Sequence, residues 1–94
     1  MQFQFVVGQA ERHQVDFSFD QFTGRLVIAV DGAPVVNELR IASVSVTKRY
    51  DFAVGTTERH DVAVEKIRPV FFAAFRPSTY KVYVDGGLAQ TYRG

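Results

Sequence analysis

VGQAERHQV at residues 7–15 and VGTTERHDV at residues 54–62 decide how this chain is read. The second string follows the first by 47 residues with Glu-Arg-His unchanged, and the two contain the only histidines of the protein, His13 and His60. A carboxylate, a guanidinium and an imidazole at fixed spacing are parts of an active site. The same parts repeated at the head of two strands are parts of a building unit. The phase of the flanking residues separates these readings, because successive strand side chains point to opposite faces. His13 shares a face with Val15, Phe17 and Phe19, and His60 shares one with Val62 and Val64. Both histidines therefore head an inward row. The expectation is a ring packed at the end of the core with one nitrogen bonded to a carbonyl or a nearby carboxylate. Glu11-Arg12 and Glu58-Arg59 fall in the loop after a glycine and are expected to be solvent-exposed charge, where an ion pair contributes little.

The likeness extends beyond the two strings. Aligning Gly8 with Gly55 puts Val15 on Val62 and Phe17 on Val64, and Leu26 to Gly32 (LVIAVDG) then resembles Tyr80 to Gly86 (YKVYVDG) at an offset of 54. Each copy reads as a Val-Gly turn, a strand beginning at His, and a second strand ending in Val-Asp-Gly. Copy one covers about 6–36 and copy two about 53–92 of a single domain, 1–94. One such unit cannot bury its apolar face alone, so two copies packed face to face are expected to make one core.

Period-two alternation of apolar residues dominates the chain and helical periodicity is almost absent. Strands are expected near Gln2 to Phe5, His13 to Asp20, Arg25 to Asp31, around Val35-Val36, Val44 to Val54, His60 to Ile67, Val70 to Phe75, Tyr80 to Asp85 and Leu88 to Tyr92. Lys48 interrupts the apolar phase of the fifth, which a bulge or a snorkelling lysine would accommodate. The fold class is all-β: an antiparallel two-sheet sandwich of about 8–9 short strands, internally duplicated.

Composition narrows the function. Eleven Lys/Arg against ten Asp/Glu, scattered singly, lack the dense basic stripe that phosphate-driven nucleic-acid binding requires. The absence of cysteine removes disulfides and thiolate metal sites and favours a cytoplasmic setting. No run is long and apolar enough for a membrane span, and MQFQFVV lacks the pattern of a signal peptide. Two histidines with carboxylates are metal donors, but identical placement in two halves is expected to set them apart, and no HExxH or His-rich tract is present. Asp16, Asp20 and Asp51 are outward by phase, no serine lies in a GxSxG context, and the Gly-rich turns open no helix. No enzyme and no cofactor are expected. Phe71 and Phe72 are adjacent on one strand and cannot enter the same core, which makes them candidates for contact with a protein partner or a second copy of the chain.

In order, His-x-Val-x-Phe, FTG-RLVIAVDG, YDFAVG, ERHDVAVE, an aromatic strand and YKVYVDG resemble the β-sandwich domain of the Fas apoptotic inhibitory molecule family, and small bacterial proteins with that pattern. The resemblance covers most of the chain and rests on strands and turns. It implies a non-catalytic sandwich acting through protein contacts. The expected function is an interaction or structural module; the alternative is a sandwich that binds a small apolar ligand.

Overall fold

A computed structural model of the chain describes residues 1–20, 22–39, 47–67 and 78–93. Eight strands are seen among them: β1 (Gln2–Val7), β2 (His13–Phe19), β3 (Arg25–Val30), β4 (Ala33–Leu39), β5 (Thr47–Val54), β6 (His60–Ile67), β7 (Thr79–Val84) and β8 (Gly87–Arg93). They form two antiparallel four-stranded sheets, ordered β1-β2-β3-β4 and β5-β6-β7-β8. Within each sheet every strand pairs antiparallel with its neighbour in sequence. The sheets face each other as a sandwich, with β1–β4 in one layer and β5–β8 in the other.

Alternation explains the core. Phe3, Phe5 and Val7 of β1, Val15 and Phe17 of β2, and Leu26 and Ile28 of β3 meet Tyr50, Val54, Val62, Val64, Tyr80 and Val82 of the second sheet. Side chains of this size each stabilise the fold by about 1.5–3 kcal/mol when taken out of water. Aromatic rings join the layers: Phe17 meets Tyr80 edge-on at 5.0 Å between centroids, and Phe3 stacks on Phe17 at 4.6 Å and on Tyr92 at 4.0 Å.

The two sheets share one register plan. Val7 pairs with His13 and Phe5 with Val15, as Val54 pairs with His60 and Phe52 with Val62. Phe17 pairs with Ile28 as Val64 pairs with Val82. Asp31-Gly32 and Asp85-Gly86 turn tightly with positive φ at both residues, 51° and 86° in the first and 51° and 84° in the second, as two-residue hairpins demand. Each of these hairpins carries a register shift, at Ile28/Ala29 and at Val82/Tyr83.

Several boundaries depart from the sequence reading. The segment expected only around Val35-Val36 is a seven-residue strand, because the shift at Ile28/Ala29 passes over Val35 and pairing continues to Leu39. No register shift interrupts β5 at Lys48; its ammonium instead lies 5.8 Å from the centre of the Tyr50 ring, so the long side chain keeps its charge at the surface. The strand expected at Val70 to Phe75 lies outside the described residues.

Candidate functional site: a reciprocal glutamate and histidine clasp

The two repeated strings meet. Gly8 has φ +100° and Gly55 φ +96°, a left-handed conformation that side chains resist, and a Cβ at either would fall on the carbonyl oxygen of Glu11 or Glu58 three residues on. This bend turns the next three amide N–H groups towards one point. In the first loop they converge on the carboxylate of the second copy. Gln9 N donates to Glu58 Oε2 at 2.8 Å, and Ala10 N and Glu11 N donate to Glu58 Oε1 at 2.7 and 3.4 Å. In the second loop the roles exchange. Thr56 N donates to Glu11 Oε2 at 2.7 Å, and Thr57 N and Glu58 N donate to Glu11 Oε1 at 2.8 and 3.2 Å.

Each glutamate is also held by the histidine of its own string. His13 Nε2 lies 2.5 Å from Glu11 Oε2, and His60 Nε2 lies 2.6 Å from Glu58 Oε2. The other ring nitrogens meet the aspartates of the hairpin turns: His13 Nδ1 on Asp31 Oδ2 at 2.5 Å, His60 Nδ1 on Asp85 Oδ2 at 2.6 Å. Those aspartates spend their second oxygen on the sheet, accepting from Gln14 N and from Asp61 N at 2.9 Å each. Each imidazole is thus clamped between two carboxylates, an arrangement that favours the imidazolium, the form that donates at both nitrogens.

The electrostatics follow from that geometry. The hydrogen bond from His13, then those from the Thr56 and Thr57 amides, bring the Glu11 carboxyl down to about 2. His60, then the Gln9 and Ala10 amides, do the same for Glu58, again to about 2. Asp31 followed by Glu11 raises His13, and Asp85 followed by Glu58 raises His60. Asp31 and Asp85 are lowered by their histidines and then by the Gln14 and Asp61 amides.

One expectation is corrected here and another is extended. Glu11 and Glu58 are not free surface charge: their side chains are 23% and 26% exposed and cap the opposite loop. His13 and His60, expected to bond a carbonyl or a nearby carboxylate through one nitrogen, are half-buried and meet a carboxylate at both nitrogens. The contact between the sheets at this end is made by the strings themselves, while each histidine bonds carboxylates of its own half only. Arg12 and Arg59 are exposed as expected. The inward phase of the histidines was readable, but the glutamate contacts were not, because their partners are 45 to 49 residues away. The signal that could have found them was the pairing of a glycine, three bare amides and a glutamate in both copies, a set that satisfies itself when exchanged.

A shallow open depression of about 390 Å³ lies at the other end of the first sheet, lined by Met1, Gln2, Ser18, Phe19, Asp20 and Phe22. Beside it the ammonium of Lys66 sits 3.2 Å from the centre of the Phe19 ring, joining β6 to β2. Phe71 and Phe72 lie outside the described residues. Among the described residues no group of three or more His, Cys, Asp or Glu side chains is arranged to hold a metal ion, and no helix is long and apolar enough to cross a membrane. Compared with protein-family models, curated proteins and solved structures, the chain matches none.

Proposed function

We propose that this chain is a non-catalytic interaction or structural module of two duplicated β units, working in the cytoplasm through a protein partner or a second copy of itself. The observation that carries this reading is the state of the histidines. A general base needs a lone pair facing its substrate, and here both nitrogens of both rings are committed as donors to carboxylates. The carboxylates are in turn committed to backbone amides. Groups so fully engaged hold a shape.

Supporting features lie on the outside. Val35 and Leu39 of β4 and Leu88 of β8 are about half exposed at sheet edges, and Phe22 stands fully exposed at the β2–β3 turn. The resemblance to the Fas apoptotic inhibitory molecule sandwich points the same way, towards contact through a surface. Phe71 and Phe72 remain the contact residues favoured by the sequence. Sedimentation across a concentration series, with co-precipitation from native extract, tests the reading against a Phe71→Ser/Phe72→Ser chain. Self-association or one reproducible partner, lost in the double variant, is the expected result. A monomer whose co-precipitated set is unchanged by the double substitution contradicts the contact surface.

A second reading, a sandwich that binds a small apolar ligand, draws on the depression beside Phe19 and Phe22, whose volume falls in the range of ligand sites. A small molecule co-purifying in native mass spectrometry and released by Phe22→Ser would favour it.

A further inference from the structure

We propose that each Gly-x-x-Glu loop is a carboxylate-binding site in its own right, for which the glutamate of the other copy is the resident ligand and a free small monocarboxylate is an acceptable substitute.

The site for Glu58 shows why. Its carboxylate is held edge-on, with two donors to each oxygen. Oε2 accepts from Gln9 N and His60 Nε2, and Oε1 from Ala10 N and Glu11 N, all between 2.6 and 3.4 Å. None of these donors belongs to the Glu58 side chain. The amides are aimed by the bend at Gly8, and the ring of His60 is aimed by Asp85 from its far side. Consecutive amides converging through a positive-φ residue form a concavity that favours anions, and the imidazolium adds a full positive charge. Glycine is required for the ligand as well as for the bend, because a Cβ at Gly8 would come within 3.2 Å of Glu58 Oε2.

The second site repeats this with Thr56 N and His13 Nε2 on Glu11 Oε2, and Thr57 N and Glu58 N on Oε1. It adds the Thr56 hydroxyl at 3.4 and 3.5 Å from the two oxygens. The same arrangement built from different residues, Gln-Ala in one loop and Thr-Thr in the other, places the recognition in the backbone and the histidine. A flat two-oxygen anion satisfies four donors set in this way. A spherical halide reaches only some of them.

The test removes the tethered ligand and offers a free one. The Glu58→Ala chain retains Gln9, Ala10, Glu11, His60 and Asp85, and is titrated with sodium formate or sodium acetate against sodium chloride at matched ionic strength, near pH 6, where both carboxylates are ionised. The expected result is a saturable rise in Tm with the carboxylates alone, roughly 5 °C once the ligand is tenfold above its dissociation constant. The amide signals of Gln9, Ala10 and Glu11 should shift together, while those of Thr56 and Thr57 stay in place. The Glu11→Ala chain should show the converse, with Thr56, Thr57 and Glu58 responding. The natural chain should not respond, because a tethered glutamate outcompetes millimolar free anion. Should Glu58→Ala fail to fold in chloride, recovery of the folded spectrum in formate or acetate becomes the readout. Equal effects of chloride and carboxylate, shifts spread over the whole molecule, or an unfolded variant that neither carboxylate restores would each overturn the proposal.

Discussion

The two ends of the sandwich are closed in opposite ways by corresponding positions. At one end both sheets supply the same residues, and each glutamate enters the loop of the other sheet. At the other end the sheets differ. Phe19 pairs with Leu26 in the first sheet, and its counterpart Lys66 pairs with Tyr80 in the second. The two counterparts then meet each other, ammonium over ring. An interface between two like units can be satisfied by a self-complementary element, such as a glutamate beside a set of bare amides. It can also be satisfied by divergence into an unlike pair. This molecule does both, about one strand length apart.

The largest expected effect lies at the divergent end, where Phe3 packs on Phe17, Tyr80 and Tyr92. Phe3→Ala should lower the unfolding free energy by about 3–5 kcal/mol in urea titrations, the usual result of emptying an aromatic site in a core. Next are the glycines of the clasp. Gly8→Ala and Gly55→Ala each place a side chain at positive φ and onto a carbonyl, and should cost about 1–3 kcal/mol in the same assay. The comparison sharpens on their ratio: a reciprocal clasp requires the two losses to be similar.

The clasp should also give the molecule its dependence on pH. Glu11 and Glu58 are lowered from 4.5 to about 2, so their contribution is complete above 4.5 and fades as the pH falls towards 2. Asp31 and Asp85, lowered from 3.8, lose theirs as the pH falls below that value. His13 and His60 are raised from 6.5, so their contribution is complete below 6.5 and is lost as the pH rises through the raised value. Stability should therefore be greatest between about 4.5 and 6.5, and His13→Gln/His60→Gln should flatten the alkaline limb. The smallest expected effect is at Lys66, where Lys66→Met keeps the bulk and removes the charge over Phe19. A loss of about 0.5–2 kcal/mol is expected. In a double-mutant cycle it should couple to Phe19→Leu and add independently to Gly8→Ala.

The architecture was largely legible because it rests on local rules. Alternation set the faces of β2 and β6, and Asp-Gly set two of the turns. The sequence was less informative about β4, where Pro34 and the register shift obscure the period beyond Val36. Of the candidate site, the histidines and their phase were visible. The role of Glu11 and Glu58 was not, because a glutamate two residues before a strand looks like ordinary surface charge until the opposite loop is brought to it. The meeting of Phe19 and Lys66 was hidden for a related reason: the ring that an inward lysine covers lies across the sandwich.

The central claim is that the repeated Glu-Arg-His is an architectural clasp whose imidazoles are held doubly protonated between carboxylates. Long-range proton–nitrogen NMR of the His13 and His60 rings against pH tests it most directly. Both rings should show two protonated nitrogens below pH 6.5, titrate above the ordinary value of 6.5, and move together as a matched pair. A midpoint at or below 6.5 on either ring would contradict the clasp and return a free imidazole lone pair to the surface.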